Sequence, residues 1–303
     1  MAPTAGDFRA LTSPQSATIR RLEREIERVR TEAASRYGDA LIDVNFTEGK
    51  LLGSVALPSQ AEELRRLVAE FWPEGSCRLL VLATRRVRVV LHAESQPLDI
   101  WRRRPAVEDK RQELTTQLLP GDPAAGLLAV RSGQYLVRAP GEAVGWVPRS
   151  ARFHFGPAPP ADPPGIAVAP RAGWDSKVVE KTALDLIGRP YVFGGTGGQG
   201  VDCSGLIWRA YLSAGVLLPR NSRAQRKVGD RVRLAELREG DLICAVHRGP
   251  QRTSHVALSL GDGEVVHACR ELHEVRREQL SEFRSRYQVL TIRRVPGAVG
   301  PSR

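Results

Sequence analysis

Tyr191-Val-Phe-Gly-Gly-Thr-Gly-Gly-Gln-Gly-Val-Asp202-Cys203-Ser204-Gly205 sets a cysteine where a glycine-rich loop runs into a helix. The apolar residues Leu206, Ile207, Ala210, Tyr211 and Ala214 recur at helical spacing, and Gly215 follows as a stop. This predicts a helix from Cys203 to Ala214. A thiol on the first turn feels the positive end of the helix dipole and unpaired backbone N–H groups. Both favour thiolate, and the same groups can hold an oxyanion. Two histidines follow, His255 in Thr253-Ser254-His255-Val256-Ala257-Leu258 and His267 in Val265-Val266-His267-Ala268. The order predicts Cys203 as nucleophile, His255 as its base and His267 as the group that orients the base.

Each of these residues has a plainer reading. An isolated cysteine is by default a small buried residue, as Cys244 is expected to be in Leu242-Ile-Cys-Ala-Val246. His92, His154, His247 and His273 read as packed polar residues. Cys203 departs from the default because of the glycine-rich approach, the helix start and the two histidines. Ligand spacings such as Cys-x-x-Cys are missing, so no metal and no cofactor is expected.

Outward from this segment the chain divides into regions. Ile19, Leu22, Ile26, Val29 and Ala33 form one stripe on a helix over 14–37, ended by Gly38. Strand-like runs span 40–46 and 50–57, and Ser59-Gln-Ala-Glu62 reads as a capping box that opens a helix to about Trp72. Further β runs lie at 78–84 and 86–92. Core packing of the first helix is favoured over a dimerisation seam, because two or three heptads fall short of a coiled coil. Residues 1–105 are thus read as an N-terminal α+β domain. Over 106–155 short β runs alternate with Gly and Pro signals, which predicts a small β unit. Residues 156–170 form a stiff proline-rich linker, 171–295 a domain carrying the cysteine and both histidines, and 296–303 a tail. A helix is expected over 175–188.

The 303 residues are 42% hydrophobic and 26% charged, the balance of a soluble globular protein. No run of 18 apolar residues predicts a membrane span, and the start lacks the apolar stretch of a secretory signal. Four cysteines make no disulfide framework, and Cys77, Cys244 and Cys269 are expected to be reduced. These features predict a cytoplasmic protein; export by a route not visible in the sequence is the alternative. The net charge of +11 invites a nucleic-acid reading. However, the arginines of Arg85-Arg86-Val-Arg88, Trp101-Arg102-Arg103-Arg104 and Arg20-Arg21 are scattered and lack interleaved aromatics. No nucleic-acid partner is expected. The oligomeric state is not legible.

Residues 185–270 resemble the catalytic domain of the NlpC/p60 cysteine peptidases, which cut peptides of the bacterial cell wall. The resemblance rests on Pro190-Tyr191, Gly194-Gly195, Asp202-Cys203-Ser204-Gly205, Leu218-Pro219-Arg220, Gly240-Asp241-Leu242, Ser254-His255-Val256 and Val266-His267-Ala268. Phe193 stands where that family more often has tryptophan. Gly145-Trp146-Val147 resembles the last strand of a bacterial SH3-type barrel, and the order of elements over 15–92 is vaguely like a BON-type domain. The fold class implied is α+β: a papain-like NlpC/p60 domain preceded by an SH3-like β-barrel and a small N-terminal α/β domain.

The resemblance implies further roles. Tyr191 stands where the family places a tyrosine near the oxyanion; its plainer reading is a partly buried aromatic. Asp202, Ser204 and Ser222 match substrate-contacting positions of the family's SH3-bearing dipeptidyl peptidases, in which the aspartate binds the free amine of a terminal L-alanine. That subgroup closes the amine pocket with an aromatic and an acidic group from the SH3 domain. Here the nearest counterparts are Tyr135 and Glu142. The implied activity is hydrolysis of the γ-D-glutamyl–diamino acid bond in peptidoglycan stem peptides with a free N-terminal L-Ala, as in murein recycling. An endopeptidase acting on intact wall and a non-catalytic wall-peptide scaffold are the alternatives.

Overall fold

The computed structural model describes residues 14–37, 42–47, 49–56, 58–82, 88–102, 114–158, 173–250 and 252–299. The proline-rich linker beyond Ala158, the arginines at 85, 86, 103 and 104, Gly38 and the residues from Gly300 lie outside them. The chain forms two units, one of residues 1–86 with 102–104, the other of 87–101 with 105–303.

The first unit runs α1 (Pro14–Tyr37), β1 (Ile42–Thr47), β2 (Lys50–Val55), α2 (Pro58–Phe71) and β3 (Ser76–Val81). β2 pairs antiparallel with β1 and parallel with β3, with α2 as the crossover between the parallel strands. Leu22, Ile26 and Val29 of α1 are buried in one cluster with Leu64, Leu67 and Val68 of α2 and Leu51 and Val55 of the sheet. The stripe on α1 is therefore core within its own unit. Helix α2 begins at Pro58, one residue before the expected cap. Proline's fixed φ and missing N–H suit the first helical position, which places Ser59 inside the helix.

In the second unit, β4 (Val89–Ala93), β5 (Leu98–Trp101), β6 (Leu114–Leu118), β7 (Ala125–Arg131), β8 (Gln134–Arg138), β9 (Val144–Val147) and β10 (Phe153–Pro157) form a sheet. Its order is β10-β4-β7-β8-β9-β5-β6, antiparallel at every pairing. The small β unit read at 106–155 thus takes in two strands that the sequence grouped with the N-terminal region. Among the described residues β10 and β6 are the two ends of this sheet.

The rest of the unit holds β11 (Trp174–Asp175), α3 (Ser176–Leu184), α4 (Cys203–Ser213), α5 (Ser222–Gln225), β12 (Asp230–Val232), β13 (Leu242–His247), β14 (Ser254–Gly261), β15 (Glu264–Cys269), β16 (Glu274–Gln279), α6 (Leu280–Arg286), β17 (Tyr287–Arg294) and β18 (Ala298–Val299). Six of these strands make a second sheet, ordered β12-β17-β13-β14-β15-β16. α3 and α4 pack on one side through Val179, Leu206, Ile207, Ala210 and Tyr211, against Val256, Leu258, Val266 and Ala268. α6 covers the other side with Phe283, beside Ala257, Val265 and Tyr287. α3 is shorter than expected: it begins after its cap Asp175, which accepts from the Lys177 amide at 2.8 Å, and ends at Leu184. Asp241 of the Gly240-Asp241-Leu242 motif is buried and takes two bonds from Arg294, which tie β13 to β17.

Candidate functional site

The glycine-rich loop and the start of α4 fit only because side chains are missing there. A Cβ on Gly205 would lie 2.1 Å from the Gly195 carbonyl oxygen. One on Gly194, which has φ +78°, would lie 2.3 Å from that of Leu114. Strand β6 closes over this loop. The Thr196 hydroxyl donates to the Gln117 carbonyl at 2.9 Å, and the Gly198 amide donates to Gln117 Oε1 at 3.2 Å. Arg209 on α4 makes a bidentate pair with Asp122 at 2.5 and 2.8 Å. The seven-stranded sheet thus fixes the loop and the helix that carries the cysteine.

Asp202 is the N-cap of α4, accepting from the Gly205 amide at 2.6 Å. Its other oxygen accepts from the Gly194 amide at 2.8 Å, which ties loop to helix. The Ser204 hydroxyl and the Arg220 guanidinium add bonds of 3.0–3.1 Å, so both oxygens of Asp202 are occupied. Arg220, buried itself, also donates to Thr116 Oγ1 at 2.9 Å and to the Gly195 carbonyl at 3.1 Å. Arg220, of the Leu218-Pro219-Arg220 motif, is the counter-charge of Asp202.

Cys203 is the first residue of α4 and is 7% exposed. The backbone amides of Ser204 and of Val256, the residue following His255, favour the charged form of its sulfur, and Cys203 and Val256 share one buried cluster. Burial, aided by the negative charge of Asp202, pushes the thiol up to about 12. The expectation of a thiolate favoured by the helix start is therefore reversed in the closed site, because desolvation outweighs the amides and the dipole. Tyr191 is half-buried, and its phenol is also raised, first by burial and then by the charges of Cys203 and Asp202. It therefore keeps its proton beside the sulfur and can donate a hydrogen bond.

His255 and His267 are both buried, and Nε2 of His255 meets Nδ1 of His267 at 2.9 Å. Tyr287 stacks on the His255 ring with centroids 4.3 Å apart. Burial first, then the charges of His267, His247 and Arg286, hold His255 well below its ordinary value of 6.5. The imidazole is thus neutral at rest, like the thiol. Among the described residues no hydrogen bond joins the two. In this state sulfur and ring can act only by passing the thiol proton to the ring as attack begins.

Beyond His267 the chain of contacts continues to a residue that sequence reading missed. Its Nε2 meets Glu278 Oε1 at 3.0 Å, and both side chains are wholly buried. The other carboxylate oxygen of Glu278 faces Arg286 and, at 3.4 Å, Arg276. Burial pushes this carboxyl up, but His267 and Arg286 outweigh it and hold it below its ordinary 4.5. The signal was present in the register. Cys269 pairs with Glu274 across the turn at 270–273, so His267 opposes Arg276 and Glu278 stands two residues further along the same face.

The remaining predicted residues fall into two groups. Ser204 sits in the Asp202–Arg220 network, and Ser222, which opens α5, bonds the Ser254 hydroxyl at 2.8 Å beside His255. Glu142 lies in the turn between β8 and β9, with φ +65°. That turn docks on the Leu218-Pro219-Arg220 segment, since the Gly141 carbonyl accepts from the Arg220 amide at 2.8 Å. The structure does not bring Tyr135 to the site. Its ring belongs to a cluster with Phe153 and Phe155, at 5.2 and 5.6 Å, because β8 aims it at β10. Phe193, in the loop, is 52% exposed. Of the other histidines, His92 and His154 stack on each other at 4.8 Å, and His247 pairs with Glu271. All four cysteines are free, with Cys244 buried as expected. Among the described residues no cluster of His, Cys, Asp and Glu could hold a metal ion, and no helix is long and apolar enough to cross a membrane.

Residues 188–294 match the model of the NlpC/P60 family. Residues 188–294 are thus an NlpC/P60 family domain. A γ-D-glutamyl-L-lysine dipeptidyl-peptidase of Bacillus cereus is 41% identical over 90 residues, 29% of this chain and 27% of that protein. A probable endopeptidase of Mycobacterium tuberculosis is 38% identical over 112 residues, 36% of this chain and 28% of that one. The chain thus spans little more than a quarter of the length of these curated relatives. An NlpC/P60 family protein of Bacillus cereus of solved structure is 23% identical, with a TM-score of 0.37 over 71% of this chain and 65% of that one.

Proposed function

We propose that the chain is a cysteine peptidase of cell-wall peptides that hydrolyses the bond between γ-D-glutamate and the diamino acid. The observation that carries this reading is Cys203 opening α4 in one buried cluster with Val256, the residue that follows His255, whose ring is bonded to His267. Cys203 is the nucleophile, His255 the base and His267 its orienter. The thiol proton passes to His255 as sulfur bonds to the amide carbonyl carbon. The oxyanion that forms takes hydrogen bonds from Tyr191 and helix-start amides. His255 then returns the proton to the amine nitrogen as the C–N bond breaks, and water cleaves the resulting thioester.

The preferred substrate is a stem peptide with a free N-terminal L-Ala, met in the cytoplasm as a recycling fragment. One relative is named a γ-D-glutamyl-L-lysine dipeptidyl-peptidase, which accords with this choice. In this reading the seven-stranded sheet is an SH3-type unit whose 139–143 turn closes the amine pocket. Glu142, half-exposed and without an ion pair among the described residues, is the acidic group offered to the amine, and Ser222 lines the cleft. A second reading is favoured by the saturation of Asp202. A carboxylate already holding two amides, a hydroxyl and a guanidinium has no free lone pair for an amine, and an endopeptidase needs none there. Hydrolysis of L-Ala-γ-D-Glu-diaminopimelate and its N-acetylated copy decides between them. Cleavage of the free peptide alone supports the dipeptidyl reading, and equal rates transfer the assignment to an endopeptidase. The Cys203→Ala variant is expected to bind either peptide and cleave neither. Retained cleavage by that variant would sink the peptidase reading itself.

A further inference from the structure

We infer that Glu278 is a positioning residue that sets, through His267, which nitrogen of His255 carries a proton. The inference rests on the proposed peptidase reading for its chemical meaning, while its structural part stands on bonds alone. His255, His267 and Glu278 lie on three successive strands, β14, β15 and β16. Leu258 opposes Val266 and Val265 opposes Glu278, so each step from one side chain to the next is a diagonal across a ladder. Two such steps put imidazole, imidazole and carboxylate in a line on one face of the sheet, with contacts of 2.9 and 3.0 Å.

The line has a direction. An ionised carboxylate only accepts, so Nε2 of His267 carries the hydrogen in its bond to Glu278. A neutral His267 then has a bare Nδ1, which accepts in its bond with His255. The hydrogen of that contact therefore sits on Nε2 of His255, and a neutral His255 is left with a bare Nδ1. That is the nitrogen free to take the thiol proton. Without the carboxylate His267 can adopt either tautomer. In one of them it donates to His255, whose own hydrogen then moves to Nδ1, and the base is lost. When His255 becomes an imidazolium, the negative charge two contacts away offsets the positive one, without touching substrate or sulfur.

The other groups packed around the line leave this role to Glu278. Arg286 of α6 and Arg276 of β16 hold the carboxylate oxygen turned away from His267. Glu282 pairs with both arginines at the surface. Phe283 and Tyr287 offer rings to the two histidines. The Tyr287 hydroxyl is committed to Glu271 at 2.6 Å, and Glu271 in turn pairs with His247 of β13. Among the described residues Glu278 is the carboxylate bonded to the histidine pair. If it served only the arginines, either oxygen could remain in solvent; instead the side chain is wholly buried with one oxygen on the ring.

Ring-15N spectra of the Cys203→Ala protein read the tautomers directly and need no turnover. They should show both His255 and His267 protonated at Nε2. The Glu278→Gln variant should show a mixture at His255, because an amide can present oxygen or NH2 to His267. In the peptide assay Glu278→Gln should lower kcat on the order of 10–100-fold with KM nearly unchanged. The limb of the pH profile set by the histidine pair should move to lower pH, since a nearby negative charge no longer favours the imidazolium. Glu278→Asp, which keeps the charge, should recover part of kcat. A purely structural Glu278 would lower the melting temperature and leave tautomers and pH profile as they were. That result, or His255 protonated at Nδ1 in the parent spectrum, would overturn the inference. If the parent protein cleaves none of the peptides, the peptidase reading fails while the spectra still decide the role of Glu278.

Discussion

Two buried carboxylates, Asp202 and Glu278, stand on either side of the cysteine–histidine pair, and each is neutralised by arginine. Their remaining bonds differ in kind. Asp202 spends both oxygens on the loop and helix it joins, on the Gly194 and Gly205 amides and on Ser204. Glu278 gives one oxygen to arginine and the other to a histidine ring. The first carboxylate therefore builds the site, and the second reaches into its chemistry. The difference teaches that nearness to the nucleophile in sequence is a poor guide to role. The residue adjacent to Cys203 is an architectural cap, and the one acting on the base lies on β16, the fifth strand after it in the chain.

The largest effect expected from this contrast is on stability. Asp202→Ala leaves the Arg220 guanidinium buried and unpaired, and breaking such a pair costs about 3–5 kcal/mol. Loss of the helix cap adds about 1 kcal/mol. Urea unfolding of Asp202→Ala measures the sum, and a loss below about 1 kcal/mol would break the architectural half of the comparison. Asp202→Asn is milder, because asparagine also caps helices. It removes the negative charge that helps to raise the Cys203 thiol, so alkylation of Cys203 by iodoacetamide should shift to lower pH.

A third carboxylate sharpens the contrast, since Glu142 has no ion pair among the described residues and lies in a turn bonded to Arg220. If it meets the substrate amine, Glu142→Gln removes a charge-assisted bond of about 1.5–3 kcal/mol. KM for the free-amine peptide should then rise by roughly 10–100-fold, with the N-acetylated peptide unaffected. An equal effect on both peptides would assign Glu142 to the fold, alongside Asp202.

The pH dependence of stability separates the histidine side by sign. The folded His255 stands well below 6.5 through burial. As pH falls through 6.5 the unfolded chain takes up a proton that the folded one refuses, so stability drops by up to about 1.4 kcal/mol per pH unit. Glu278 stands below 4.5 in the fold, so its contribution is present above 4.5 and is lost as pH falls through its folded value. Calorimetry should therefore show the melting temperature declining in two stages, one beginning near pH 6.5 and one below pH 4.5. Glu278→Gln should shrink the second stage, to which Glu271 also contributes, and leave the first.

How much of this was legible in the sequence follows from the range of each interaction. The helix from Cys203 to Ser213 and the stop at Gly215 are set by neighbours in the chain, and periodicity reads them directly, whereas the cap at Asp202 was hidden behind its expected substrate role. The buried stripe on α1 is local in the same sense. The pairing of His255 with His267 needed motif order, because a ladder register and not a spacing brings them together. Glu278 needed two registers and the turn at 270–273, and three successive uncertainties were enough to hide it. The thiol was misjudged for a different reason. Helix position is visible in a sequence, but the depth of burial that raises Cys203 to about 12 is a property of the assembled site. Strands β4 and β5 were assigned to the wrong neighbour because a β run does not announce the sheet it will join.

The smallest expected effect concerns Tyr135, the aromatic nearest in sequence to the amine-pocket turn. Its ring is taken up by Phe153 and Phe155, so the phenol has no part in any of the three carboxylate environments. Tyr135→Phe keeps that ring packing and deletes only the hydroxyl. Peptide turnover should stay within about twofold of the parent, the range of a substitution away from special contacts. Tyr135→Ala removes the ring and should destabilise the seven-stranded sheet by about 3 kcal/mol, the scale of an aromatic truncation. Because that sheet holds the glycine-rich loop through Gln117 and α4 through Asp122, the alanine variant should lose activity only as it loses fold. A folded Tyr135→Phe protein with a raised KM for the free-amine peptide would instead return the hydroxyl to the pocket and make the seven-stranded sheet a second source of chemistry.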